Sequence, residues 1–167
     1  MLEIDKRKDS RTRNYGDRGT SATSFQRRQS ILVPPKVLLL VADEQERNGL
    51  DSLLSPYVAL TCVQGLRALL AHLKRGRYDA LFCVCSFHSK TWNAPLKHVR
   101  KRHPELPVIL LSSANALREW PDVFEAGAFD FLVPPYSNHN LLAVVEQAVA
   151  STEARCWHNT EANGTSI

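Results

Sequence analysis

Two clusters of oxygen-bearing side chains follow apolar runs in this 167-residue chain, and each is a candidate for chemistry. Asp43 and Glu44 come just after Val37-Leu38-Leu39-Leu40-Val41-Ala42, as adjacent carboxylates able to hold a hard cation such as Mg²⁺ through oxygen ligands. The competing role is structural, since an acid at the start of a helix accepts from its first amides and offsets its dipole. Ser112 and Ser113 follow Pro107-Val108-Ile109-Leu110-Leu111, but a serine becomes a nucleophile only beside a base, and no His falls at a neighbouring strand end. His72, His98, His103 and His139 fall on or beside expected helices, where a solvated imidazole is the default. Cys83 and Cys85 alternate along one extended run, so they share a face and do not reach disulfide geometry. With His88 they make no second pair at metal-ligand spacing. No Gly-rich phosphate loop follows the first apolar run, so dinucleotide and P-loop binding both fail. No catalytic constellation emerges, and the chain is not expected to be an enzyme.

The totals place these residues in one domain with tails. Residues 1–33 hold eight Lys/Arg against four acids, which accounts for the whole net charge of +4. The remaining 13 basic and 13 acidic residues cancel. The high pI therefore belongs to the N-terminal segment, and a nucleic-acid surface on the body is not expected. That segment is polar and basic with almost no apolar periodicity, and it reads as a disordered arm. Arg27-Arg28-Gln29-Ser30 within it is too short a kinase-site match to carry weight. No stretch approaches the roughly 18–20 apolar residues of a membrane span, and no secretory h-region opens the chain. Cys62, Cys83 and Cys85 read as buried core cysteines of a reducing, cytoplasmic compartment.

From Lys36 onward strand-like and helix-like runs alternate. Val37–Val41, Val58–Val63, Tyr78–Cys85, Pro107–Leu111 and Phe129–Val133 are short apolar runs rich in β-formers. Tyr78-Asp79-Ala80-Leu81-Phe82-Cys83-Val84-Cys85 has no helical period and reads as a central strand buried on both faces. Between these runs lie helical stripes: Leu50, Leu53 and Leu54; Leu66, Leu69, Leu70 and Leu73; Leu96 and Val99 behind Pro95. A fourth helix is expected over about 116–126, closed by Gly127, and a fifth from Asn138 to near Glu153. Five strands alternating with five helices make a doubly wound parallel sheet. The flavodoxin-like order 2-1-3-4-5 places the loops after Val41, Val84 and Leu111 around one crevice. The body is bounded at 34–154, with 155–167 as a flexible C-terminal tail.

This body resembles the receiver domain of two-component response regulators. The resemblance is carried by Val37–Glu44, by Tyr78–Val84, by Pro107–Ser113 and most specifically by Gly127-Ala128-Phe129-Asp130-Phe131-Leu132-Val133-Pro134-Pro135-Tyr136. It implies a phosphoacceptor Asp at the end of strand three, two acids for Mg²⁺ after strand one, a hydroxyl after strand four and a Lys after strand five. Here those positions hold Val84, Ala42 with Asp43 (Glu44 beside them), Ser112 and Pro134. Phe131 stands at the aromatic switch position, and Pro135 matches a proline often preceded by a cis peptide. Thr91-Trp92 replaces the family's Asp-Gly turn.

The departures bear on the chemistry. A valine has no oxygen to accept a phosphoryl group, and without the Lys the phosphoryl charge loses its strongest partner. The resemblance therefore implies a degenerate receiver, or pseudo-receiver, that signals by protein–protein contact. The contact face is expected at helix four, strand five and helix five, where receivers dimerise. Trp92 and Trp120 are candidate contacts if exposed and equally candidate half-buried anchors of their loops, and any Mg²⁺ at Asp43 and Glu44 is expected to bind weakly. Two alternatives stand beside this reading. One is a receiver phosphorylated at a substitute residue such as Ser86; the other is a nucleic-acid-associated protein acting through residues 1–33.

Overall fold

The structure, a computed structural model, describes residues 33–85, 92–112 and 120–162, and their side chains except those of Cys85, Trp120 and 156–162. The disordered arm expected over 1–33 lies, apart from Val33, outside the described residues, as do Ser86, His88 and Ser113.

Five strands are formed: β1 (Lys36–Leu40), β2 (Ala59–Val63), β3 (Ala80–Cys85), β4 (Val108–Ser112) and β5 (Asp130–Leu132). They pair in parallel in the order β2-β1-β3-β4-β5, as the alternating pattern requires. Register is continuous across the middle of the sheet, where Leu39 lies opposite Phe82, and Val84 opposite Leu111. β1, β3 and β4 read as unbroken apolar runs because they are buried on both faces.

The helices are α1 (Glu44–Leu54), α2 (Gly65–Arg75), α3 (Asn93–Arg102), α4 (Trp120–Glu125) and α5 (Asn138–Ala162). They form two layers. Leu50 and Leu54 of α1 join Leu141, Val145 and Ala148 of α5 in one core cluster, against Val37, Leu39, Phe82 and Ile109. Leu69 and Leu73 of α2, Leu96 and Val99 of α3 and Val123 of α4 join the other, against Leu38, Leu81, Leu110 and Phe131. Alternate residues of each central strand thus feed opposite clusters, as the two-residue pleat dictates.

Two expectations are revised and one open alternative is settled. α5 continues past Glu153 to Ala162, because no Pro or Gly interrupts the chain before Gly164. Trp92, open in the sequence between a surface contact and a half-buried anchor, is 5% exposed and packs into the α2–α3 cluster, where it supplies the N-cap residue of α3. Cys62 is only half-buried, because β2 is an edge strand, whereas Cys83 is fully buried. The Pro134–Pro135 peptide is cis, as the resemblance implies.

Candidate functional site

The carboxyl ends of β3 and β4, the connection after β5 and the helix α1 converge on a cleft of about 300 Å³ lined by Glu46, Gly49, Leu50, Leu53, Val84, Ser112, Pro134 and Tyr136. Each element contributes for a local reason. β3 delivers Val84, half-buried, at the point where the strand leaves the α1–α5 cluster. β4 ends in Ser112, the buried polar residue among those described, at 0% exposure. The cis Pro134–Pro135 turn sets Pro134 on the rim and carries Tyr136 back over the sheet. There the Tyr136 hydroxyl donates to the Ser112 carbonyl and ties the β5–α5 connection to the end of β4. α1 closes the other side with Leu50, Leu53 and Glu46.

Asp43 and Glu44 do not line this cleft. Asp43 is the N-cap of α1, with extended backbone, and its Oδ1 accepts from the Glu46 amide at 2.8 Å. Glu44 turns along the helix surface, where its Oε1 accepts from Arg47 Nη2 at 3.0 Å. The acidic pair is thus divided between a cap and a surface ion pair. Ala42 and Val84 offer no side-chain oxygen, so the donor set does not fit a receiver-type Mg²⁺ site. Among the described residues no three His, Cys, Asp or Glu side chains group as metal ligands.

Glu46 was not singled out by sequence reasoning. It is the acid of the cleft wall, and burial, followed by the charge of Asp43, pushes its carboxyl above the usual range. A signal was present in Asp43-Glu44-Gln45-Glu46, the capping-box spacing, which places the fourth residue on the first turn beside the cap. Tyr136 was visible as the aromatic after Pro135, but nothing in the sequence gave it a bonding role.

No protein-family profile matches the chain. The nitrogen regulator NtrC of Salmonella typhimurium, a DNA-binding transcriptional regulator, is 36% identical over 108 residues, covering 63% of this chain and 23% of that protein. The solution structure of the NtrC receiver domain in its apo form superposes with a TM-score of 0.61 at 27% identity, over 70% of this chain and 94% of that one. The body is a receiver-like domain of the response-regulator type. A signal receiver domain of an HD domain-containing protein from Pseudomonas fluorescens superposes with a TM-score of 0.65 at 21% identity, over 74% of this chain and 92% of that one. The chain spans about a quarter of the length of the curated relative.

Three positions that the receiver resemblance assigns to phosphate chemistry (Val84, Ser112 and Pro134) meet in the one cleft. The aromatic position, Phe131, lies on β5 opposite Leu110 and is 3% exposed, turned into the α2–α3 cluster. Val84 and Pro134 leave the cleft walls mainly apolar, with the acid Glu46 facing the ground a receiver reserves for a phosphoryl group. A carboxylate in that wall repels a phosphate dianion.

Proposed function

We propose that this receiver-like domain is a pseudo-receiver of a two-component signalling system, acting through protein–protein contact without phosphotransfer. The observation that carries the reading is Val84 at the end of β3, standing in the cleft with Pro134 and Glu46. Phosphoryl capture needs an oxygen nucleophile and concentrated positive charge; this cleft offers an isopropyl group, a proline ring and an acid. The protein is not an enzyme on this reading and works in the cytoplasm. The helices of the described residues, none long and apolar enough to cross a membrane, are compatible with that. Asp43 and Glu44 retain at most a weak hold on Mg²⁺.

The contact face is the one built by α4, β5 and α5. Phe124 on α4 is 42% exposed, a large apolar side chain of the kind that anchors an interface. Its partner is a second copy of the domain or an output protein on another chain.

Backbone amide NMR tests the central claim, with Mg²⁺ added first and beryllofluoride, an acyl-phosphate mimic, second. Resonances of Asp43, Val84 and Ser112 are expected to stay in place at beryllofluoride. Shifts that begin at the cleft and propagate to Phe131 overturn the reading and require a substitute acceptor.

A further inference from the structure

Residues 34–167 are neutral in sum, but the fold segregates their charge. Nine of the thirteen Lys/Arg in that span fall between Gly65 and Arg102, against one acid, Asp79. Helices α2 and α3 contain no Asp or Glu. Their cations, among them Arg67, Lys74 and Arg75 on α2 and Lys97, Lys101 and Arg102 on α3, are exposed. Both helices pack on one face of the sheet and share one core cluster through Leu69, Leu73, Leu96 and Val99. Both run antiparallel to the strands, so their basic last turns reach the same edge. Asp79 stands outside both helices, just before β3, where its Oδ2 accepts from the Lys36 amide at 2.7 Å. The opposite layer is acidic: α1 carries Glu44, Glu46 and Asp51 against Arg47. Complementing a helix dipole accounts for a basic last turn. It does not account for Arg67 or Lys97, outside those turns, or for two helices without one acid.

We infer that the α2–α3 face binds duplex DNA through its phosphate backbone, without reading sequence. A protein partner would need aromatic or apolar anchors at the centre of the patch. The exposed large hydrophobics among the described residues are Val33, Tyr57 and Phe124, and none lies on α2 or α3. A single-stranded nucleic acid would need exposed aromatic rings to stack on. The aromatics flanking the two helices are not available for this: Trp92 is 5% exposed, and Tyr78 is half-buried against the core with its hydroxyl 3.2 Å from His72 Nδ1. What the face offers is an array of cations, and duplex DNA supplies one phosphate per ~1.7 Å of axis. The cations stand in two rows, one on each helix, and two rows can follow the two strands bordering a groove about 12 Å wide. The inference is independent of whether the cleft accepts phosphate.

The test is fluorescence anisotropy of a labelled random-sequence DNA duplex with the full chain, titrated over a range of salt concentrations. Binding is expected to weaken linearly on a log–log plot of affinity against salt. Lys97→Glu/Lys101→Glu on α3 and, separately, Lys74→Glu/Arg75→Glu on α2 are each expected to lower the slope by about 2, at ~0.9 for each phosphate that is no longer neutralised. Circular dichroism confirms that each variant is folded, and two variants on different helices guard against a single misfolded one. Arg27→Gln/Arg28→Gln, in the N-terminal segment, serves as the comparison. An unchanged slope in both helix variants overturns the inference, as does a slope that falls only in the Arg27/Arg28 variant. Displacement of the duplex by polyglutamate at equal charge concentration also overturns it, in favour of an acidic protein partner.

Discussion

Glu46 is the residue at which the cleft's two opposing demands meet. It sits on the first turn of α1, where the helix dipole favours a carboxylate, yet burial and the neighbouring Asp43 charge outweigh that and raise its pKa. A raised folded-state pKa means that the protonated form suits the fold better. The stability linked to this group is therefore fully present below the ordinary value of 4.5 and is lost as pH rises through the folded value. Glu46→Gln is accordingly expected to raise the melting temperature at pH 7 and to leave it unchanged well below pH 4.5. Thermal melts across pH check this, and a Gln variant less stable at pH 7 would show that the dipole dominates. Val84→Asp tests the same cleft from the opposite wall. It restores the receiver carboxylate but faces Glu46 without the positive charge that Pro134 has displaced. A loss of about 1–3 kcal/mol is expected at pH 7, the scale for burying an uncompensated polar group, shrinking as both acids protonate. Denaturant unfolding at two pH values reads it directly.

At the scale of the element, α1 begins where it does because Asp43 caps it, and the division of Asp43 from Glu44 follows from that single bond. Asp43→Ala is expected to cost about 1 kcal/mol, the usual value of an N-cap side chain, measured by chemical denaturation. If the loss were instead seen only with Mg²⁺ present, the cation role would be restored. The α4–β5 junction depends on Gly127, whose φ of +92° is in the left-handed region. A Cβ there would also meet Arg100 Nε at 2.8 Å, displacing a guanidinium that donates to the Pro104 carbonyl. Gly127→Ala is expected to destabilise by roughly 1–2 kcal/mol from backbone conformation alone. These elements were legible in the sequence to different degrees, for physical reasons. β1, β3 and β4 announce themselves because double burial demands unbroken apolar runs, and Gly127 marks a helix end because few other residues tolerate that backbone. Trp92 was not legible, since an indole in a polar loop looks the same whether it faces water or turns under α3. Nor was the division of the acidic pair, because neighbouring carboxylates in a sequence carry no record of which one the helix claims.

For the molecule as a whole, the net charge conceals the location of charge. Thirteen cations and thirteen acids sum to nothing, yet nine of the cations lie in one stretch of sequence, and the parallel topology brings its two helices, α2 and α3, to one face of the sheet. Such a face has a thermodynamic signature of its own. Like charges on adjacent exposed turns repel within a Debye length, about 10 Å at 0.1 M salt, so screening relieves them. The domain is therefore expected to melt at a higher temperature as sodium chloride rises from low concentration, before general salt effects take over. Lys97→Glu localises the cause. Lys97 and Lys101 are i,i+4 neighbours on α3, and the substitution turns a repelling pair into an attracting one with the acid on the N-terminal side, the better orientation. The two terms together amount to about 0.4–1 kcal/mol at low salt, and the gain should fade in 1 M salt, where the Debye length falls to about 3 Å. The same substitution is one of those expected to weaken DNA binding. A variant that is more stable and binds DNA less well is the outcome expected of a surface whose repulsion is retained for a polyanion. If Lys97→Glu is neutral or destabilising at low salt, the cations of α2 and α3 are each solvated separately, and the face is not an electrostatic unit.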